Sequence, residues 1–230
     1  MRQYLTRAGL AGKDVLKSIL AGLCLVLAGC ILQGNTGWTE VSLVDGYSQI
    51  FFVSIGSVPV PLMYCALQRK AIRRQMEPLV AIRYDCRLSW AENVAAGCFI
   101  RAAVFAISMN MFAVGALLLL GCYPTNWAWM ILGSILLQIL FLFNLSALQI
   151  LVLAHGFSGQ VAFAGAVLYG AFDFIALNTM MEPIYIGWGT VLWWQRSPIW
   201  VLYLPMITVA LVVALEVSLH RMNLLDRKKE

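Results

Sequence analysis

The sequence predicts an all-α protein that crosses a membrane several times. Three observations predict it. Hydrophobic residues make up 61% of the 230 and charged residues only 12%, about half the charged share of a soluble domain. Six apolar stretches each reach the length of about 20 residues that a bilayer crossing needs. Fifteen of the sixteen lysines and arginines fall in three blocks, residues 1–17, 69–101 and 221–229, with Arg196 alone elsewhere. Cationic side chains stay on the cytoplasmic side of a membrane protein. The blocks therefore place both termini and one central loop inside, and six crossings close that topology.

The elements follow in chain order. Residues 1–17 set Tyr4, Ala8, Ala11 and Val15 on one helical face among charges, which predicts a short helix lying in the inner interface. The apolar run behind it continues to about Gln33 without a clear cleavage pattern, so it is read as a retained first span rather than a signal peptide. The six spans are expected at about 18–34, 47–67, 97–122, 127–154, 160–180 and 198–219. Pro59 and Pro61 predict a kink in the second, because proline removes a backbone donor. The fourth exceeds what a bilayer requires and is expected to tilt or project. Residues 35–46 fall outside, 68–96 inside, 123–126 in a tight outer turn and 155–159 in a tight inner turn. Residues 181–197 hold Trp188, Trp193 and Trp194, and tryptophan prefers the headgroup layer. An outer interfacial or re-entrant segment before the last span is expected there. No internal repeat appears, and residues 1–230 read as one transmembrane domain.

Several functions are excluded by residue type. The net charge of +5 is spread over helix ends, which suits membrane lipid with an anionic inner leaflet and not nucleic acid. The six cysteines form no Cys-x-x-Cys pair and have no histidine at metal spacing. They read as small apolar fillers, with a pairing of Cys30 and Cys122 near the outer face left open. Two histidines and no His-Glu-x-x-His leave little for metal catalysis. Gly12-Lys13 resembles the end of a phosphate-binding loop. Arg7 stands where that loop needs glycine, and Asp14 where it needs Ser or Thr. The chain has no recognisable nucleotide site or bound cofactor; any ATP would be bound by another subunit.

Polar residues within the spans are the next candidates. Ser134, Gln138 and Gln149 share one face of the fourth span, where interhelical hydrogen bonds or a substrate path are the two readings. Asp173 lies in the outer half of the fifth span on a face with Ala162, Ala166, Tyr169 and Ala176. A carboxylate there costs a few kcal/mol in lipid, so that face is expected to point into protein, with Asp173 either bonded to Tyr169 or a neighbouring helix or in contact with substrate or a proton. Gly156-Phe157-Ser158-Gly159, with His220 downstream, matches a short pattern of rhomboid intramembrane proteases. The topology places Ser158 in an inner turn instead of a cavity within the membrane.

The central cytoplasmic segment is the most informative. It carries mixed charges with apolar Leu79, Ile82, Tyr84, Leu88 and Trp90, as suits a short helix docking into a partner's groove. The run Ile82-Arg83-Tyr84-x-x-Arg87-x-x-Trp90 resembles the segment before the third span in permease subunits of type-2 ABC transporters, in the bacterial branch that handles antimicrobial peptides. A basic residue often follows that tryptophan; here Ala91, Glu92 and Asn93 follow. The resemblance extends to the layout of the whole chain. It implies a subunit of an ATP-driven exporter in a bacterial plasma membrane, with a second permease subunit and a cytoplasmic ABC ATPase as partners. ATP and Mg are expected on the ATPase. Ile82, Arg83, Tyr84, Arg87 and Trp90 would seat on it, and an amphiphilic peptide or lipid-like molecule would be the cargo. The alternatives are the rhomboid-like protease and a non-transporting immunity or scaffold protein.

Overall fold

The computed structural model describes residues 12–32, 41–51, 58–77, 81, 87–124, 127–172, 174–175 and 198–221. The regular elements among them are all α-helices, in the order α1 (Gly12–Leu32), α2 (Leu43–Ile50), α3 (Pro59–Gln75), α4 (Arg87–Leu119), α5 (Trp127–Ala154), α6 (Gly159–Gly170) and α7 (Pro198–Arg221). Four of them, α1, α4, α5 and α7, are long and apolar enough to cross a membrane, which marks the chain as a membrane protein.

The centre is α5, which packs against α3, α4, α6 and α7. Residues 141–147 are buried on every side of it. The outermost is α7, which turns Leu202, Met206, Val209 and Val213 outward. Such an apolar surface belongs against lipid tails.

Helices in lipid gain little from hydrophobic burial and associate through close packing at small residues. The pairing of α1 with α4 follows this rule. Gly22 lies against the backbone of Met109, where a Cβ would come within 3.2 Å of both N and Cα. Gly29 meets the end of α2, where a Cβ would sit 2.8 Å from the Ile50 carbonyl oxygen. Farther along α1, Cys30 comes within electrostatic reach of Cys122, just past α4. Gly22 lies at Met109, and Gly29 lies at the end of α2, whose first residue Leu43 bonds Tyr123 just past α4, so α1 and α4 run parallel.

That direction brings the basic residues together. Lys13 and Lys17 start α1; Arg69, Lys70, Arg73 and Arg74 occupy the last turns of α3; Arg87 starts α4; Arg221 ends α7. All of these are exposed. The end of α3 meets the start of α4 through a hydrogen bond from Trp90 to the Gln75 carbonyl. The start of α4 meets the end of α7 through one from Arg87 to the His220 carbonyl. We call this the basic end. At the opposite end, Ser42 caps α2, accepting from the Asp45 amide at 3.1 Å. Leu43 donates its amide to Tyr123 at 3.0 Å.

Several expectations change. The second apolar stretch is not one helix: α2 ends at Ile50, and α3 begins with Pro59 and Pro61 in its first turn. Proline there loses no hydrogen bond, because the first amides of a helix have no intrahelical acceptor. The helix of the expected third span, α4, begins at Arg87, not near 97, and α3 runs on to Gln75, so both ends of the expected loop 68–96 are helical. Residues 12–17 belong to α1 without a break, so they are not part of a separate interfacial helix. Residues 1–11 and 181–197 lie outside the described residues.

Candidate functional site

The first turn of α4 carries two of the five residues singled out in the central segment, Arg87 and Trp90. Ile82, Arg83 and Tyr84 lie outside the described residues. Arg87 and Trp90 divide the work. Arg87 is exposed, and its guanidinium Nη1 donates to the His220 carbonyl at 2.7 Å. Trp90 is only 1% exposed. Its Nε1 donates to the Gln75 carbonyl at 3.1 Å, across to the last turn of α3. The indole therefore lies inside the chain and fixes how α4 begins, while the surface beside it belongs to Arg87 and Leu88.

The burial of Trp90, Ala91, Val94, Cys98, Arg101 and Phe105 follows three- and four-residue spacing, so one face of α4 enters the bundle from its first turn. Arg101 corrects its sequence assignment. It counted with the surface basic block, yet it is only 3% exposed. Its Nη2 donates to the Gln75 side-chain oxygen at 2.8 Å and to the Cys98 sulfur at 3.3 Å. Gln75 thus receives Trp90 on its backbone and Arg101 on its side chain.

A second polar layer lies nearer the opposite end. The Tyr47 hydroxyl donates to Asn110 Oδ1. Asn110 Nδ2 donates to Gln138 Oε1 at 2.6 Å. Gln138 Nε2 returns a bond to the Tyr47 hydroxyl at 3.1 Å. The three form a closed ring in which each donates to the next, joining α2, α4 and α5. Asn110 also donates to the Ala106 carbonyl at 2.7 Å. Ser134 is fully buried beside Tyr47. Of this layer, Ser134 and Gln138 stand out in the sequence. Asn110 was missed, although a lone amide inside the apolar run of α4 was the available signal. Tyr47 carries no such signal, because tyrosine is as common at an interface as in a core.

Between these layers the Tyr64 hydroxyl bonds Ser146 Oγ at 2.8 Å, and its ring packs edge-on against Phe105 with centroids 5.4 Å apart. Gln149 is buried with its side-chain amide against Cys65. Asn144 is fully buried at the centre of α5, and neither its Nδ2 nor its Oδ1 has a partner. Buried amides are almost always bonded in native proteins, so Asn144 is one place where the interior has unused hydrogen-bonding capacity. Asp173 lies outside the described residues.

The serine-histidine pair behaves as surface structure. Ser158 is exposed and caps α6, accepting from the Val161 amide at 3.4 Å. Gly156 before it takes φ 86°, a left-handed turn conformation. His220 is exposed on the last turn of α7. Among the described residues no group of three or more His, Cys, Asp or Glu side chains could hold a metal ion.

No known protein family, curated protein or solved structure matches this chain.

Proposed function

We propose that this chain is the membrane-spanning permease subunit of an ATP-driven exporter in a bacterial plasma membrane. ATP is hydrolysed by a separate ABC subunit bound at the basic end, and a second permease subunit completes the transport path. In this reading the basic end is cytoplasmic, both termini are inside, and the chain crosses six times. The pair α2 and α3 makes the second crossing, and α6 starts the fifth.

One observation carries the proposal. Helix α4 is unbroken for 33 residues from Arg87 to Leu119, about 50 Å at the α-helical rise. Its first turn displays Arg87 and Leu88 on the surface, while Trp90 and Arg101 bind it to α3 through Gln75. A partner pressing on that turn moves a helix, not a loop, and the displacement reaches the far end of the bundle. The unbonded amide of Asn144 supports a second arrangement of the interior, in which it meets a substrate or another helix. A two-state change biased by ATP on the partner uses both features. The cargo is amphiphilic, since the interior offers aromatics and neutral amides and few charges.

Purification of the full-length chain from its own membranes tests the reading. We expect it to bring down a soluble ATPase with a phosphate-binding loop, and expect ATP hydrolysis by that complex to rise with amphiphilic peptides or lipids. A chain that transports in purified vesicles without any such companion overturns the proposal.

A further inference from the structure

We propose that Cys30 and Cys122 form a disulfide that staples the end of α1 to the turn between α4 and α5. The geometry rests on the register of three elements. From the contact of Gly22 with Met109, the parallel helices α1 and α4 advance together, which sets Cys30 level with Leu117. The chain then folds back: the Cys122 amide donates to the Leu117 carbonyl at 3.0 Å, so Cys122 returns toward the turn that is level with Cys30. Helix α2 closes the arrangement from the side. Its last residue, Ile50, touches Gly29, and its first residue, Leu43, donates to Tyr123. The two thiols are within electrostatic reach of one another. Cys65 and Cys98 are buried elsewhere in the bundle, and Cys24 faces outward from α1.

The side chains also set the order of events. Cys30 is partly exposed and Cys122 is 4% exposed. The Cys30 thiolate is the one that reaches an external disulfide, either a low-molecular-weight disulfide or a thiol oxidoreductase. It attacks one sulfur of that oxidant, forms a mixed disulfide and releases one thiol. The Cys122 thiolate then attacks the Cys30 sulfur and releases the second thiol. The two cysteines lose two protons and two electrons, and the external disulfide is reduced to two thiols. The reaction needs an oxidising compartment, so it rests on the sidedness proposed above, which puts this end of the bundle outside.

The test uses the full-length chain in its own membranes. Free thiols are blocked with N-ethylmaleimide under denaturing conditions without reductant; the sample is then reduced, labelled with iodoacetamide and digested for mass spectrometry. We expect the second label on Cys30 and Cys122 and the first on Cys65 and Cys98. We also expect Cys30→Ser to leave Cys122 with the first label, and Cys122→Ser to do the same for Cys30. Recovery of the first label on both residues of the unaltered chain, even after exposure to oxidised glutathione, overturns the staple, as does pairing of either with another cysteine. The readout involves neither ATP nor transport, so it survives or fails separately from the exporter reading. A membrane-impermeant maleimide reaching an Arg87→Cys variant from outside intact cells would instead sink the sidedness.

Discussion

Trp90 and Gln75 clamp the last turn of α3 to the first turn of α4: the indole Nε1 reaches the Gln75 carbonyl at 3.1 Å. Replacing Trp90 with phenylalanine keeps most of the buried ring and removes the donor, which costs about 1 kcal/mol. Replacing it with alanine opens a cavity and costs about 3–5 kcal/mol. Thermal unfolding in detergent should therefore order the variants as unaltered chain, then phenylalanine, then alanine. Equal midpoints for the two substitutions would mean that the indole does not pack where the structure places it.

The ring of Tyr47, Asn110 and Gln138 makes a cooperative prediction. Each side chain donates to one neighbour and accepts from the other. Any single apolar replacement leaves a buried group unbonded, at a cost of about 1–2 kcal/mol. The second replacement breaks less than the first, so Tyr47→Phe and Gln138→Leu combined should cost less than the sum of the two. A double-mutant cycle on unfolding free energies reads the coupling. Strict additivity would show that the ring does not act as a unit.

Close approach predicts a contrast between two glycines. A methyl group at Gly29 meets the Ile50 carbonyl oxygen at 2.8 Å, whereas one at Gly115 meets nothing within 4 Å. Gly29→Ala must push α1 and α2 apart and should lower the unfolding temperature. Gly115→Ala keeps the packing and favours helix by up to about 1 kcal/mol, so its unfolding temperature should hold or rise. The two circular-dichroism melts, taken in one detergent, decide this.

At the basic end stability and function should separate. Leu88 is 53% exposed, so Leu88→Asp should leave insertion and unfolding unchanged, within about 0.5 kcal/mol. In the exporter reading it should cut ATP-coupled transport at least ten-fold, because it places a charge in the ATPase contact. Arg87→Glu should do the same at a small further cost, since its exposed bond to the His220 carbonyl is lost. Normal transport in both variants would remove this turn from the partner interface.

The long apolar runs were legible because one residue type dominates them. The stretch expected at 127–154 is α5, and the stretch expected at 198–219 lies within Pro198–Arg221. The start of α4 was hidden. Arg87, Glu92 and Asn93 dilute the hydrophobicity of its first turns, although Trp90, Val94 and Cys98 bury one face of it. A window average cannot see a face, whereas the three- and four-residue spacing can. The break between α2 and α3 was half legible: the prolines announced a disturbance, but whether it bends a helix or begins one depends on what precedes it. Of the polar residues, Gln138 stands out in the sequence, and it bonds Asn110 and Tyr47 on neighbouring helices. The buried place of Arg101 was not legible, because charge counting treats every arginine near a helix end as wet, whereas Gln75 from α3 and Cys98 on α4 hold it inside.

The length of α4 has one more consequence. A bilayer's oily layer measures about 30 Å, and this 33-residue helix outruns it by about 20 Å. Thick, sterol-like or long-chain membranes should straighten the rod and draw its arginine-bearing tip toward the headgroups. Thin membranes should lean it over or leave more of the tip standing clear. Acyl-chain length thus becomes a dial on how far that tip protrudes, set by the host cell's lipid metabolism without any ligand.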